Sequence, residues 1–431
     1  MAEQDNGYKR LFSHRERMAD LRRAFAAWLQ QTFPLRRTSE SHMRQTSRRA
    51  LLKAGAAAGL GAWLASRPGD APSATNADAS AAQSPRVPLI HVTDLFHPHG
   101  DPDDHFDLAS VYALALQGRF DLRGIVIDYP PGFRAGDPAV VAVAQMNRLA
   151  GLAVPVAIGT SQTMTGRADA MPDAPWRDTA AIRFILEQLR ASERPLALTC
   201  VGSAADIVIA ALREPALFRD KCAAVYLNSG SAHDNPARPE QLEFNVRLDP
   251  AAYAAMFDLP CPLVWFPCWN VTEVRESGES GSFYWLPHRE ALAEISDAAA
   301  NLFAYMFGKS TEPKWLRAMN FPPPADAWEK ILDGQRGMWS TASLFAAAGL
   351  TVTRDGDIVS SAEAGDSAVF RLKPVQVTCA DDGRTTWRER TPPAPAAAST
   401  ASARWMLSVT DVARYPGAMT RAVQALFKTF E

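Results

Sequence analysis

The chain has 431 residues, of which 47% are hydrophobic and 21% are charged, which is enough for one large or two medium-sized domains with a sizeable core. Its formal net charge of −2 gives no basic surface for nucleic acid or for an anionic membrane. The five cysteines form no Cys-x-x-Cys pair, which excludes a zinc ribbon.

We predict that residues 1–83 are a leader, with an export signal, and a linker. Residues 47–53, Ser-Arg-Arg-Ala-Leu-Leu-Lys, resemble the twin-arginine export signal, and an apolar stretch runs from Ala54 to Ala65. The order basic, apolar, small-polar is that of a signal peptide, and the apolar stretch is shorter than the ~20 residues of a bilayer span. We predict export to the periplasm or beyond, with no stable membrane span in the mature chain. The alternative is an amphipathic helix with chance arginines.

From Leu89 onward, short β-type runs alternate with helical runs, and we assign residues 84–431 to one domain. Predicted strands cover residues 89–93, 122–127, 154–158, 196–201, 223–227 and 263–266. Predicted helices cover residues 104–117, 138–149, 179–189, 203–212 and 250–257. This alternation predicts an α/β fold with a mostly parallel sheet and helices on both faces. Ligands bind at the carboxyl ends of such strands, where Asp94, Asp128, Gly159, Gly202 and Asn228 stand.

The pattern changes after Pro287. Helices are predicted over residues 288–307, 325–332 and 411–430. Strands over 370–379 and 385–390 flank Asp381-Asp382-Gly383, a hairpin turn signal, and a linker rich in Pro, Ala, Ser and Thr follows over 391–403. We therefore divide the domain into a core, residues 89–270, and a C-terminal helical and hairpin part, residues 288–431.

The segment 94–107 is the clearest candidate site, with five aspartates and three of the chain's eight histidines. Carboxylates this close repel one another unless a cation neutralises them, and a hard divalent ion prefers oxygen ligands. Such an ion would polarise a water whose proton a carboxylate could accept. The alternative is a solvated capping loop, since a helix dipole alone favours Asp103 and Asp104. His97 and His99 are candidate transition-metal ligands or ordinary loop residues.

Four segments, in order, resemble the inosine–uridine nucleoside hydrolase family. They are Val92-Thr93-Asp94 followed by Asp103-Asp104, then residues 201–206, residues 225–230, and Glu243-Phe244-Asn245 followed by Asp249-Pro250-Ala251-Ala252. The resemblance spans roughly residues 89–270. It implies a Rossmann-like nucleoside hydrolase fold, a calcium site and cleavage of the N-glycosidic bond of ribonucleosides.

The resemblance also implies a role for each matching residue. Asp94 would be a metal ligand and the general base for the attacking water, and Asp104 a calcium ligand. Asp103 would lie at the metal and near the ribose hydroxyls, and the carbonyl of Ala205 would be a backbone ligand. The ribose would also contact Glu243, Asn245 and Asn235. Another divalent metal remains an alternative to Ca²⁺.

Three departures from the family pattern add further candidates. The loop between Asp94 and Asp103 is longer, so Asp101 is an alternative metal ligand. Asp128 stands near the place of a family asparagine and is a candidate sugar contact. The family's late His-Asp pair, whose Asp is a calcium ligand, corresponds to residues 337–342, Gly-Met-Trp-Ser-Thr-Ala. There Trp339 is a candidate for stacking on a base or sugar, or else a core residue.

Two other functions stay open. One is a non-catalytic nucleoside- or sugar-binding protein of the same fold, and the absence of the family's late His-Asp pair supports it. The other is a different metal-dependent hydrolase, such as a phosphoesterase that uses His97, His99 and the aspartates. Under each reading the partner is a small molecule and not nucleic acid, and a homo-oligomer is left open.

Overall fold

Strands and helices alternate along the first half of the domain, as the sequence predicts. The computed structural model describes residues 85–98, 102–130, 132, 136–232, 242–270, 275–390 and 403–430. The strands in chain order are β1 (Val87–Thr93), β2 (Phe96–His97), β3 (Phe120–Ile127), β4 (Asp137–Pro138), β5 (Val156–Ile158), β6 (Leu196–Cys200), β7 (Cys222–Asn228), β8 (Leu263–Phe266), β9 (Tyr284–Pro287), β10 (Gln335–Met338), β11 (Leu350–Val352), β12 (Ile358–Ser360), β13 (Phe370–Cys379), β14 (Thr385–Glu389) and β15 (Arg404–Val409).

The α-helices surround these strands. In chain order they are α1 (Asp103–Leu116), α2 (Val140–Ala150), α3 (Ala180–Ala191), α4 (Ala205–Arg213), α5 (Pro215–Lys221), α6 (Phe244–Leu248), α7 (Pro250–Met256), α8 (His288–Leu292), α9 (Asp297–Phe307), α10 (Trp315–Ala318), α11 (Ala325–Leu332), α12 (Thr341–Ala347) and α13 (Tyr415–Phe427). No helix in the described part of the chain is both long and apolar enough to cross a membrane.

One nine-stranded sheet forms the centre, in the order β14-β13-β15-β8-β7-β6-β1-β3-β5. Its strands pair in parallel from β15 through β5, while β13 pairs antiparallel with both β15 and β14. The predicted α/β class with a mostly parallel sheet is therefore confirmed. Because β1, β3, β5, β6, β7 and β8 run in one direction, the residues after them share one edge of the sheet.

The sheet is covered on both faces, also as predicted. Successive side chains of a strand point to opposite faces, so Leu89 and Ile90 enter different hydrophobic clusters. The cluster of Leu89 includes residues of α1, α2, α9 and α13, and the cluster of Ile90 includes residues of α3, α4 and α7. Burial on both faces explains why the strands read as continuous apolar runs.

The structure corrects the sequence-based elements in two places. The single helix predicted over residues 288–307 is two helices, because the Ser296 hydroxyl accepts a hydrogen bond from Ala299 N–H and starts α9 anew. The helix predicted over residues 203–212 begins at Ala205, and the Ser203 hydroxyl accepts a hydrogen bond from Ala205 N–H.

The C-terminal part is built into the same sheet as the core. β15, which was not predicted, pairs in parallel with β8, and the predicted hairpin of β13 and β14 extends the sheet beyond it. The hairpin turn contains Gly383 with φ +88°, a value that favours glycine. The predicted leader, residues 1–83, and most of the predicted linker, residues 391–402, lie outside the described residues.

Candidate functional site

The loops that follow β1, β3 and β6 touch one another at the carboxyl edge. Asp94 follows β1 and Asp128 follows β3, and both side chains are buried. A Cβ atom on Gly202, after β6, would stand 2.7 Å from Asp94 Cβ and 2.4 Å from Asp128 Oδ2. The N–H of Ser203 donates a hydrogen bond to Asp128 Oδ2. The missing side chain at Gly202 therefore lets both aspartates lie against this loop.

Helix α1 brings three more aspartates to this edge. Asp103 and Asp104 lie in its first turn and Asp107 one turn later, a spacing that puts them on neighbouring parts of one helical surface. The Asp104 carboxyl group is hydrogen-bonded to that of Asp94. Two carboxyl groups in such contact cannot both be ionised without a neutralising cation. Asp94, Asp103 and Asp104, which the sequence predicted to converge, thus belong to one acidic cluster.

Burial and mutual repulsion shift the pKa values of this cluster. Burial, followed by the charges of Asp107 and Asp94, raises the pKa of Asp103 well above its ordinary value. Burial, followed by the charges of Asp94 and Asp103, does the same for the pKa of Asp104. Burial raises the pKa of Asp107 to about 8, with the Ser340 side chain opposing and Asp94 reinforcing the shift. Positive charge delivered to this cluster would therefore be strongly favoured.

Positive charge is already present, because the charge of Arg275 lowers the pKa of Asp103 and Arg336 contacts Asp103 directly. Arg336, on β10, donates hydrogen bonds from Nε and Nη2 to Asp103 Oδ1 at 3.1 and 2.6 Å. Burial lowers the pKa of Arg336 to about 10, which leaves the guanidinium protonated at neutral pH. The guanidinium carbon lies 5.9 Å from the centre of the Trp339 ring. The candidate Trp339 therefore lies beside the acidic cluster.

Trp339 is held against the sheet through its backbone. Its carbonyl accepts a hydrogen bond of 2.9 Å from Asn228 Nδ2, at the end of β7. Its ring packs on Phe283, with ring centres 5.1 Å apart. Its Nε1 has no hydrogen-bond partner among the described residues. This indole nitrogen is buried, so it is an unused donor beside the acidic cluster.

Glu243 and Asn245 lie at the same edge, but both already have internal partners. Glu243 caps α6 and accepts a hydrogen bond of 2.8 Å from Gly230 N–H. Asn245 Nδ2 donates to the carbonyls of Val201 and Asn228 at 3.0 and 3.1 Å. Burial, followed by the charge of Glu243, raises the pKa of Cys268, and the charges of Asp103 and Asp94 add to this shift. Their contact with ribose stays a prediction.

A cavity of about 200 Å³ opens beside Asp128. Phe96, Tyr129 and Ser161 line it together with Asp128, so it combines aromatic and polar groups at the carboxyl ends of β3 and β5. Ligand sites typically show this combination in this position of an α/β sheet. Asp128, a candidate sugar contact from the sequence, thus faces a cavity at this edge.

Other predicted site residues are not drawn into the cluster. The His97 ring stacks on Tyr305 with ring centres 6.1 Å apart, which gives its metal-ligand role no support. Ala205 is the first residue of α4, and a helical carbonyl points along the axis toward the helix C-terminus. His99, Asp101 and Asn235 lie outside the described residues. Their roles stay predictions.

The donor set of the cluster suits a hard cation in its chemistry. Carboxylate oxygens are the ligands that such an ion prefers, and the side chains of Asp94, Asp104 and Asp107 are all buried at this edge. No three His, Cys, Asp or Glu side chains of the described part are already arranged around one point as in a metal site. Asp94 and Asp104, whose carboxyl groups are in contact, are the residues that would hold a cation here.

The chain is an α/β protein with an acidic cluster and a cavity at the carboxyl edge of its sheet. The sequence pattern of the family described as inosine-uridine preferring nucleoside hydrolase matches residues 100–411, which is most of the chain. The chain therefore belongs to this family, and the resemblance predicted from the sequence is confirmed. Membership indicates a hydrolase or ribonucleoside-related function.

Solved structures resemble the chain only distantly. A plant nucleoside hydrolase shares 12% identity, covering 79% of this chain and 100% of that one, with a TM-score of 0.48. The inosine-uridine preferring nucleoside hydrolase from Bacillus anthracis shares 12% identity, covering 78% and 99%, with a TM-score of 0.41. The type III effector protein XopQ complexed with adenosine diphosphate ribose shares 16% identity, covering 81% and 94%, with a TM-score of 0.43. No curated protein sequence matches the chain.

Two residues of the cluster were missed in the sequence. Asp107 carried a usable signal, because its position three and four residues after Asp104 and Asp103 predicts the same helical surface. Arg336 carried none, since it is separated from Asp103 by 233 positions and only the folded chain brings the two together.

Proposed function

We propose that this chain is an exported, divalent-cation-dependent hydrolase that cleaves the N-glycosidic bond of a ribonucleoside. The observation that carries the proposal is the contact between the carboxyl groups of Asp94 and Asp104 at the carboxyl edge of the sheet. Family membership supports the reaction class, and the charge of the cluster supports the cation.

The proposed chemistry assigns the attacking side to Asp94. A bound divalent cation supplies positive charge and makes a water molecule more acidic. Asp94 would accept the proton of the attacking water at a carboxylate oxygen. Asp104, whose carboxyl group is in contact with that of Asp94, would be a ligand of the cation. Glycosidic cleavage passes through an oxocarbenium-like state, which nearby carboxylates stabilise.

The proposed sugar side is the cavity beside Asp128. This carboxyl group is fixed by Ser203 N–H and faces the cavity, so it can accept a hydrogen bond from a sugar hydroxyl. Glu243 and Asn245 tie the end of β7 to the end of β6, and in this proposal they also hold the ribose. The proposed leaving-group side is Trp339, whose unpaired Nε1 can donate to a departing base.

Export belongs to the same proposal. Its support is the twin-arginine-like segment 47–53 with the apolar stretch after it. A fusion of residues 1–83 to a reporter protein that acts only outside the cytoplasm tests this part, with Arg48→Lys and Arg49→Lys together as the matched control. Reporter activity that survives the double substitution would contradict twin-arginine export.

Ribose release from several nucleosides by the purified chain tests the reaction, with and without a chelator. Asp94→Asn is expected to lower kcat by about 10²–10⁴-fold, the usual contribution of a general base. The matched control is Asp366→Asn, because that aspartate side chain is fully exposed. Ribose release that survives both chelation and Asp94→Asn would refute the proposal.

One observation favours a second candidate, a non-catalytic nucleoside- or sugar-binding protein. Arg336 already neutralises part of the cluster through Asp103, and residues 337–342 contain no His or Asp. Nucleoside binding measured by calorimetry without any ribose release would establish this alternative.

A further inference from the structure

The hairpin of β13 and β14 reaches the carboxyl edge with two side chains of β14. Thr385 is buried, and its hydroxyl donates a hydrogen bond of 2.8 Å to the carbonyl of Ser231. Trp387 Nε1 donates a hydrogen bond of 2.5 Å to the carbonyl of Ala232. Ser231 and Ala232 belong to the loop that follows β7. Two side chains from the C-terminal part of the domain thus hold two successive carbonyls of this loop.

The turn of the same hairpin packs against the segment that contains Glu243. A Cβ atom on Gly383 would stand 2.5 Å from Val246 Cγ1 and 3.7 Å from Leu242 Cδ1, so the backbone of the turn lies close to both side chains. Val246 belongs to α6, and Glu243 is the N-cap of this helix. The hairpin therefore contacts the loop after β7 with its strand and α6 with its turn.

Glu243 joins the two segments that the hairpin contacts. Its carboxylate accepts hydrogen bonds from Gly230 N–H at 2.8 Å and from the Ser229 hydroxyl at 3.3 Å, and it also accepts from the first N–H groups of α6. Gly230 stands directly before Ser231 in the chain. A shift of the Ser231 carbonyl would therefore move a donor of Glu243 through the backbone of these two residues.

The hairpin is itself fixed to the rest of the domain. β13 pairs with β15 in the central sheet. Near the turn, Arg167 donates hydrogen bonds to Asp381 Oδ1 at 2.5 Å, to Asp258 Oδ2 at 3.0 Å and to the carbonyl of Cys379. A support that is held in this way can keep a binding group in one orientation before a ligand arrives.

We propose that Thr385 and Trp387 are positioning residues of the sugar side, which hold the loop Ser229–Ala232 and, through it, the carboxylate of Glu243. The inference rests on the proposed function for the contact between Glu243 and ribose, and it does not require turnover. Asp94 follows β1, which is separated from β13 by four strands of the sheet. Loosening the loop therefore weakens ribose binding and leaves the attacking side unchanged.

Nucleoside binding by the full chain tests the assignment, measured by calorimetry with adenosine, guanosine, inosine, cytidine and uridine. Thr385→Val keeps the shape of the side chain and removes the hydroxyl donor. It is expected to raise Kd, and KM for ribose release, by about 5-fold, the usual effect of one lost hydrogen bond. We expect kcat to stay within about 2-fold, since a change in KM alone reports lost substrate binding.

The conservative variant Thr385→Ser restores the hydroxyl and should return Kd to within about 2-fold of the wild-type value. Trp387→Phe removes the indole donor, keeps an aromatic ring beside Lys373 and should raise Kd as Thr385→Val does. Arg388→Met is the matched control, because the Arg388 guanidinium donates to Gln376 Oε1 within the hairpin. This control should keep the wild-type Kd even where it lowers the free energy of unfolding in urea.

The outcomes separate this assignment from the proposed hydrolysis. Wild-type Kd values in Thr385→Val and Trp387→Phe, or no nucleoside binding by the wild type, overturn the assignment. An equal rise of Kd in Thr385→Val, Thr385→Ser and Arg388→Met also overturns it, because the hairpin would then act only through stability. Binding that Thr385→Val weakens and Thr385→Ser restores, in a protein that releases no ribose, supports the assignment and refutes the proposed hydrolysis.

Discussion

Replacing Arg336 tests whether the acidic cluster depends on positive charge for its stability. Arg336→Met keeps the length of the side chain and removes both hydrogen bonds to Asp103 Oδ1. The two side chains are only 22% and 13% exposed, so water can replace the lost interaction only in part. Removing one partner of a buried ion pair costs about 3–5 kcal/mol, and this partial exposure places the expected loss at about 2–4 kcal/mol.

The reverse substitution should cost much less. Asp103→Asn leaves an amide oxygen as an acceptor for Arg336 and removes one negative charge that repels Asp107 and Asp94. We expect a loss of about 1 kcal/mol or less for this variant. This asymmetry distinguishes a guanidinium that compensates a cluster from an isolated surface ion pair, whose two partners would matter about equally.

Urea unfolding of the metal-free chain and of both variants gives the free energies directly, and the double variant completes the cycle. Saturating Ca²⁺ should stabilise Arg336→Met more than the wild type, since a tenfold tighter site adds about 1.4 kcal/mol. The reasoning is refuted if Arg336→Met is as stable as the wild type, or if Asp103→Asn is the more damaging change.

Three further predictions concern other residues. Burial lowers the pKa of His91 to about 3, so below pH 6.5 the unfolded chain binds a proton at His91 that the folded chain does not. The free energy of unfolding should therefore fall as the pH drops from 6.5 toward 3. His91→Leu should make the free energy of unfolding, measured with urea, less dependent on pH over this range. Trp339→Phe, which removes the free indole donor, should lower kcat/KM for nucleosides by about 10-fold, whereas Trp285→Phe should not, and equal kinetics would remove Trp339 from the leaving-group side. Gly202→Ala should cost about 1–3 kcal/mol in urea unfolding because its Cβ would meet Asp128 and Asp94, while Gly166→Ala, with open space around it, should be neutral.

The core of the fold was readable from the sequence because its elements have local signals. β8 and α11 agree with their predicted bounds, and β1, β3 and α1 differ by one or two residues at their ends. Each is a buried apolar run or a helical pattern between turn residues. β15 was not predicted, because its place beside β8 depends on pairing between residues far apart in the chain. The break before α9 was missed because a single serine decides it.

The site was predictable only where one segment holds several of its residues. Asp94, Asp103 and Asp104 lie close together in the sequence, and the structure places them in one cluster. Glu243 was predicted to contact ribose, but the sequence gives no sign that Gly230 N–H and the first turn of α6 use its oxygens. Hydrogen bonds between distant backbone groups and a side chain follow from the tertiary fold and not from a local pattern.

The negative charge of the acidic cluster explains why the proposed function includes a divalent cation. With the carboxyl groups of Asp94, Asp103, Asp104 and Asp107 all ionised, the guanidinium groups of Arg336 and Arg275 would leave part of their charge uncompensated. Protonation of buried carboxyl groups is one way to reduce that charge, and a divalent cation is the other. The proposed reaction uses the second way, because a bound cation also makes the attacking water more acidic. The proposed general base, Asp94, and the proposed divalent cation therefore belong to the same cluster of charges.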